Sequence, residues 1–208
     1  MTIGRTDLSK PRRAVVKKIT IIDGHPDPSE GRLCHALANA YAEGARGAGH
    51  EVRTVPLALL DFPVMRTAAD WERGNLPVVL KGAQAAIGWA DHVVFVHPLW
   101  LGEMPALLKA FLEQVLRPGF ALKVGARSLR SGLLLGKSAR VIVTMGMPAP
   151  VYRWWFGSHG LRSFEWNILR FVGIHPVRKT LIGNVATAAP AVLEGWLERV
   201  RKLGKEGK

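Results

Sequence analysis

The stretch HVVFVHPLWLGEMPALLKAFLEQVL (92–116) reads as a buried strand followed by a helix. Val93 to Val96 are unbroken apolar residues closed by Pro98, the pattern of a strand covered on both faces. MPALLKAFLEQVL (104–116) then reads as a helix, with Pro105 in its first turn, where a missing N–H costs nothing. The alternation extends in both directions. Upstream, KKITIID (17–23) is a β-branched run stopped by Gly24, and residues 32–47 place Leu33, Leu37, Ala40 and Tyr41 at helical spacing. EVRTVPL (51–57) is a strand closed by Pro56, residues 58–74 read as irregular, and 76–90 as a helix. Downstream, ARVIVTMG (139–146) is a strand, a helix falls near 161–172, and HPVRKTLIG (175–183) is a fifth strand. AVLEGWLERVRKL (191–203) is an amphipathic helix with Val192, Leu193, Trp196, Leu197 and Val200 on one face.

Strands and helices that alternate five times predict a parallel sheet covered on both sides, because parallel strands need crossover connections. Their number and length point to an α/β, flavodoxin-like three-layer sandwich whose five parallel strands run in the order 2-1-3-4-5. A chain of 208 residues buries roughly 70% of its unfolded surface as one domain. The expected organisation is a flexible basic arm over 1–16, one flavodoxin-like domain over 17–203 and a short tail over 204–208.

Composition narrows the class. The single cysteine, Cys34, excludes an internal disulfide and a cysteine-based zinc site, and fits a reducing, cytoplasmic compartment. The N-terminus has no apolar signal core, and apolar runs break well short of the ~18 residues a membrane helix needs, so a soluble protein is expected. The formal charge is +13, from 29 Lys+Arg against 16 Asp+Glu. It is unevenly spread: residues 21–116 hold seven basic and eleven acidic side chains, whereas residues 117–180 hold eleven and one. Phosphorylated small molecules, acidic membrane surfaces and nucleic acid all suit such a surface, so charge alone does not choose.

In an open α/β sheet the ligand binds beyond the carboxyl ends of the strands. After the first strand comes GHPDPSEG (24–31), leading to Arg32 and a helix start whose N–H groups and dipole favour an anion. It has neither the P-loop nor the G-x-G-x-x-G spacing. After the third strand, Trp100 and Leu101 offer a flat apolar wall where a polar turn would be ordinary, although both could equally fill core. After the fourth, Gly146 lets a ligand approach the backbone, and Tyr152 follows.

These residues carry a resemblance. GHPDPSEGRLCHALANAYAEGA (24–45), HVVFVHPLWLGEMPALLKAFLEQVLRPGFA (92–121) and the segment 134–178, with TMGMPAPVYRWWFG (144–157), resemble the NAD(P)H:quinone oxidoreductase family that includes DT-diaphorase. The resemblance implies a non-covalent flavin, FAD or alternatively FMN, at a homodimer interface, with NAD(P)H as donor and a quinone-type acceptor. It implies that His25, Arg32, Leu33 and Cys34 cradle the flavin phosphates, although Arg32 and Cys34 depart from the side chains usual there. Pro98, Leu99, Trp100 and Leu101 would lie along the ring system, and Thr144, Met145, Gly146 and Met147 would meet its polar edge. Tyr152 and His159 would be the catalytic pair, donating hydrogen bonds to the reduced flavin, with His159 one residue further along than in the family comparison. Phe120 and Leu122 would line the quinone pocket, with Leu122 and Val124 standing where the family often has aromatics.

Other classes compete. His92 and His97, five apart on a strand, point to opposite faces, and no H-E-x-x-H or carboxylate cluster appears, so no metal site is expected. Cys34 sits near a helix start, where thiolates are favoured, but a lone thiol there is more often packing. Two alternatives stay open: a flavin-binding regulatory subunit of a membrane transporter, and a basic nucleic-acid-binding protein using the Trp–Arg run at 152–155.

Overall fold

The structure is a computed structural model that describes residues 15–125 and 132–208. Most of the arm expected over 1–16 lies outside these residues. Five strands form one parallel sheet: β1 (Lys18–Asp23), β2 (Glu51–Pro56), β3 (His92–Pro98), β4 (Ser138–Thr144) and β5 (Val177–Ile182). Their order is β2-β1-β3-β4-β5, as the alternation predicts. The helices are α1 (Leu33–Gly47), α2 (Ala68–Arg73), α3 (Lys81–Trp89), α4 (Ala106–Val115), α5 (His159–Ser163) and α6 (Pro190–Lys205). A π-helical turn covers Val151–Trp155, and a second, Phe164–Arg170, continues α5.

The pleat of β3 divides the core. Val94 and Val96 join Ile19, Ile21, Leu37, Tyr41 and Val200 in the layer under α1 and α6. Val93 and Phe95 face the other layer, with Leu108, Phe111 and Phe164 beneath α3, α4 and the long α5 segment. His92 and His97 obey the same parity: His92 stacks on Tyr41 of the first layer, and His97 meets Phe164 of the second. Seven consecutive residues of β3 are buried, which is why this strand is so apolar.

Three expectations need correction. Residues 58–74 are not wholly irregular, because Thr67 caps α2: its hydroxyl accepts from Asp70 N–H at 3.1 Å, and Asp70 carboxylate accepts from Thr67 N–H at 3.0 Å. The helix expected near 161–172 begins earlier, at His159, and Val151–Trp155 is helical too. Residues 204–208 are no free tail. Gly204 lies inside α6 against the Tyr41 carbonyl, and the Lys208 carbonyl accepts from Tyr41 hydroxyl at 3.1 Å and from Arg140.

Candidate active site

Three connections meet at the carboxyl ends of β1, β3 and β4. The first is organised by two acids. Asp27 carboxylate accepts from Ser29 N–H at 2.9 Å and from Arg32 Nε at 2.8 Å, and these hydrogen bonds, Ser29's foremost, hold its carboxyl down at about 2. Arg32 is therefore paired rather than a free cation. Asp23, the last residue of β1, lies 2.5 Å from His35 Nδ1, and the other His35 nitrogen is 2.9 Å from the Asp27 carbonyl. Burial pulls His35 down, but Asp23 and the Asp27 carbonyl outweigh it and raise its pKa. The stabilisation this contributes is full below 6.5 and fades as pH rises through the raised value. The residue pattern alone does not single out His35; its only signal is an acid ending β1 and a histidine in the first turn of the next helix.

Arg32, the N-cap residue of α1, supplies no side-chain cap. Among the described residues, the N–H groups of Leu33 and Cys34 have no acceptor, which is the open helix start that an anion completes. Cys34 itself turns inward. It is 1% exposed, its Sγ is 3.3 Å from Thr144 Oγ1, and burial pushes its thiol up to about 12 despite that hydrogen bond. The thiolate alternative is thereby overturned, since a dry, apolar site opposes the charged form.

At the end of β3, Trp100 and Glu103 exchange both backbone hydrogen bonds at 3.0 Å around a two-residue turn. Leu101 and Gly102 both have positive φ, 50° and 83°, as such a turn requires. Leu101 projects wholly into solvent, and Trp100 is half exposed with its ring edge-on to His25 at 6.0 Å. Trp100 thus flanks the mouth beside the first loop instead of filling core, whereas Pro98 is buried. Because a branched side chain at Leu101 opposes the left-handed conformation, Leu101→Asn should raise stability by about 1 kcal/mol. A thermal midpoint equal to or below the parent's would contradict this.

After β4, Thr144 and Met145 are buried and Gly146 is exposed. A Cβ at Gly146 would meet nothing within 4 Å, leaving the backbone open to a flat ligand. Met147 carbonyl accepts from Asn184 N–H at 3.1 Å, which pins this loop to the end of β5. Tyr152 is 1% exposed, and its hydroxyl faces inward. It donates to the Gly102 carbonyl at 3.2 Å and accepts from Leu161 N–H at 3.3 Å, bracing the β3 turn against α5. Burial raises its pKa, so it remains a neutral phenol. His159 is exposed at the start of α5, its ring over Gly157.

His25, Arg32, Leu33, Cys34, Leu99 to Leu101, Thr144 to Met147 and Tyr152 thus gather around one end of the sheet. Phe120 and Leu122 do not. Phe120 packs on Gly88, near the end of α3 at the opposite, amino-terminal end of the sheet. Leu122 lines a separate apolar groove with Leu116 and Phe171. Both lie away from their own chain's mouth, because α4 carries the chain away from it before PGFA begins.

Against known proteins, residues 17–204 match the family model described as Flavodoxin-like fold. NAD(P)H dehydrogenase [quinone] 1 of Rattus norvegicus is 30% identical over 154 residues, covering 70% of this chain and 55% of its own. The chain thus spans little more than half the length of that relative. Among solved structures, NAD(P)H:quinone oxidoreductase from Methanothermobacter marburgensis superposes with a TM-score of 0.77 at 22% identity, covering 92% of this chain and 96% of that one. An FMN-dependent NADH-azoreductase from Bacillus anthracis, in complex with FMN, gives a TM-score of 0.70 at 18% identity, covering 91% and 98%. The sheet order, the helices on both faces and a match over nearly the whole described chain agree: this protein belongs to the flavodoxin-like fold family.

Proposed function

We propose that the chain is a flavin-dependent NAD(P)H:quinone oxidoreductase of the cytoplasm, moving two electrons in ping-pong order from a reduced nicotinamide to a quinone or similar electrophile. The observation that carries this is the mouth itself: unpartnered N–H groups at Leu33 and Cys34, a half-exposed indole at Trp100 and an open backbone at Gly146 converge at the carboxyl end of the sheet. These features suit a phosphorylated, flat cofactor, FAD or alternatively FMN. When bound, the flavin would supply the hydride acceptance and release that no side chain can perform.

The chain's own residues bind and orient. The Leu33 and Cys34 N–H groups hold phosphate at the positive end of α1, with Arg32 restrained by Asp27. Leu99 and Trp100 wall the ring from water, and the Met145–Met147 backbone borders its polar edge. His159 is the group proposed to donate a hydrogen bond where negative charge develops. Tyr152 acts as a brace, since its proton already serves the Gly102 carbonyl. The proposal includes a homodimer with the site at the interface. That arrangement would account for Phe120 and Leu122 lying far from their own chain's mouth.

An absorption spectrum of the purified protein tests the reading. Flavin maxima that bleach with NADH or NADPH and return with a quinone are expected, and chromatography of the released cofactor separates FAD from FMN. A colourless protein that takes up neither flavin on titration would sink it. His35→Ala should weaken flavin binding by about tenfold, the loss of a charge-assisted hydrogen bond beneath the phosphate loop. Fluorescence titration with the flavin checks this, and an unchanged affinity would remove His35 from the site.

A further inference from the structure

Between residues 117 and 180 the chain carries one acid, Glu165, among eleven cations. That carboxylate is not available at the surface. It is 4% exposed and held by Arg170 at 2.9 Å and by Lys179. The outward side chains of this segment are therefore predominantly cationic, with Glu103 beside Gly160 at one edge, and the segment is also aromatic. The Arg170 guanidinium lies 4.0 Å from the centroid of the Trp166 ring, which is itself 58% exposed. Lys179 joins Arg153, Trp154 and Arg162 around an open cleft of about 570 Å³ with an apolar floor that includes Leu161 and Leu181. Trp154 is 77% exposed at its rim. These contacts link Arg153, Trp154, Arg162, Lys179, Arg170 and Trp166 into one continuous surface.

We propose that this face docks on an anionic lipid bilayer, with the arginines and Lys179 at the level of the headgroup phosphates and the Trp154 and Trp166 indoles in the boundary with the acyl chains. Cations attract an acidic leaflet, and indoles concentrate at the membrane–water boundary because they are apolar bodies with one polar N–H. A second copy of the chain is a poorer occupant. A two-fold contact would set this face against itself, largely cation facing cation, with the Glu165 carboxylate already committed. Single-stranded nucleic acid, which would stack on the exposed indoles, is the occupant that the test below sets against the bilayer. The inference does not depend on the redox reading of the neighbouring mouth.

The test is co-sedimentation of the full chain with vesicles of phosphatidylcholine alone and of phosphatidylcholine mixed with phosphatidylglycerol. Binding is expected to the mixed vesicles only, released by high salt, with a blue shift of tryptophan emission on binding. The Arg153→Gln, Arg162→Gln double variant should bind roughly 25-fold more weakly, about fivefold for each charge near the surface. Trp154→Ser with Trp166→Ser should abolish the blue shift. Far-ultraviolet circular dichroism shows that each variant is folded. Absence of binding to the mixed vesicles overturns the proposal. So does binding that survives the arginine substitutions, which would assign it to another surface such as the N-terminal arm. Tighter binding of a single-stranded oligonucleotide than of vesicles at the same salt, or self-association lost in the tryptophan variants, overturns it as well.

Discussion

Gly44→Ala is expected to lower the unfolding free energy by about 3 kcal/mol, at the upper end of what overpacking costs. A Cβ at Gly44 would stand 1.9 Å from the Arg201 carbonyl oxygen, and one at Gly204 would stand 2.2 Å from the Tyr41 carbonyl oxygen. Both obstacles are backbone atoms, so no rotamer change relieves them. The helices α1 and α6 have to separate, and they bury Tyr41, Leu37 and Val200 between themselves and the sheet. Gly47, on the same helix, meets nothing within 4 Å, so alanine there should instead raise stability by about 0.5–1 kcal/mol through helix propensity. Urea titrations should give midpoints moving in opposite directions at an unchanged slope. Shifts of the same sign would show that the helices do not meet at Gly44.

The second large effect is acid lability well above the range of carboxylates. Burial, followed by the field of Lys17 and Arg140, holds His92 down at about 3, and burial holds His97 down at about 4, against an ordinary 6.5. Both are neutral in the fold, each with one nitrogen bonded, to Ser138 and to the Pro98 carbonyl, and with Nε2 unpartnered among the described residues. Below 6.5 the unfolded chain takes up protons that the folded chain refuses. Stability is therefore intact above that pH and falls beneath it, at up to 1.36 kcal/mol per unit for each histidine. Together they should remove about 4 kcal/mol between pH 6.5 and pH 4.5, a large part of a typical domain's stability. Denaturation at several pH values checks this, and His97→Leu should roughly halve the slope. A flat profile between those pH values would mean that both side chains are hydrated.

Long-range order was readable because it is written in local composition. β1, β3 and β4 carry runs rich in β-branched residues, β1, β2, β3 and β5 end abruptly at Gly24, Pro56, Pro98 and Gly183, and parallel pairing then dictates helices on both sides. The loops expected to hold a ligand follow from topology alone, and they do converge. What was not readable depends on depth and on contacts distant in sequence. Six-residue α2 buries nothing, so it leaves no apolar period, and its Thr67 and Asp70 cap is the only trace. Cys34 faces the core because Thr144, 110 residues away, lies beside it. Tyr152 resembles a family tyrosine in its string, but its hydroxyl direction is set by Gly102 and Leu161, which no local pattern reveals. The end of the sheet at which Phe120 lies was unreadable for a different reason. A motif transfers residue types from a relative without saying which end of the sheet they occupy.

That last separation has a genetic consequence. With Phe120 packed near the end of α3, and Leu122 in the groove beside Leu116, any part they play at a mouth formed by Trp100, Gly146 and Leu33 would, in the proposed homodimer, be played in the partner's pocket. A copy damaged at 98–103 and a copy damaged at 120–122 would then carry lesions in different halves of each shared pocket. Co-expressed, two such inactive alleles should complement, since a mixed pair contains one pocket built wholly from intact segments.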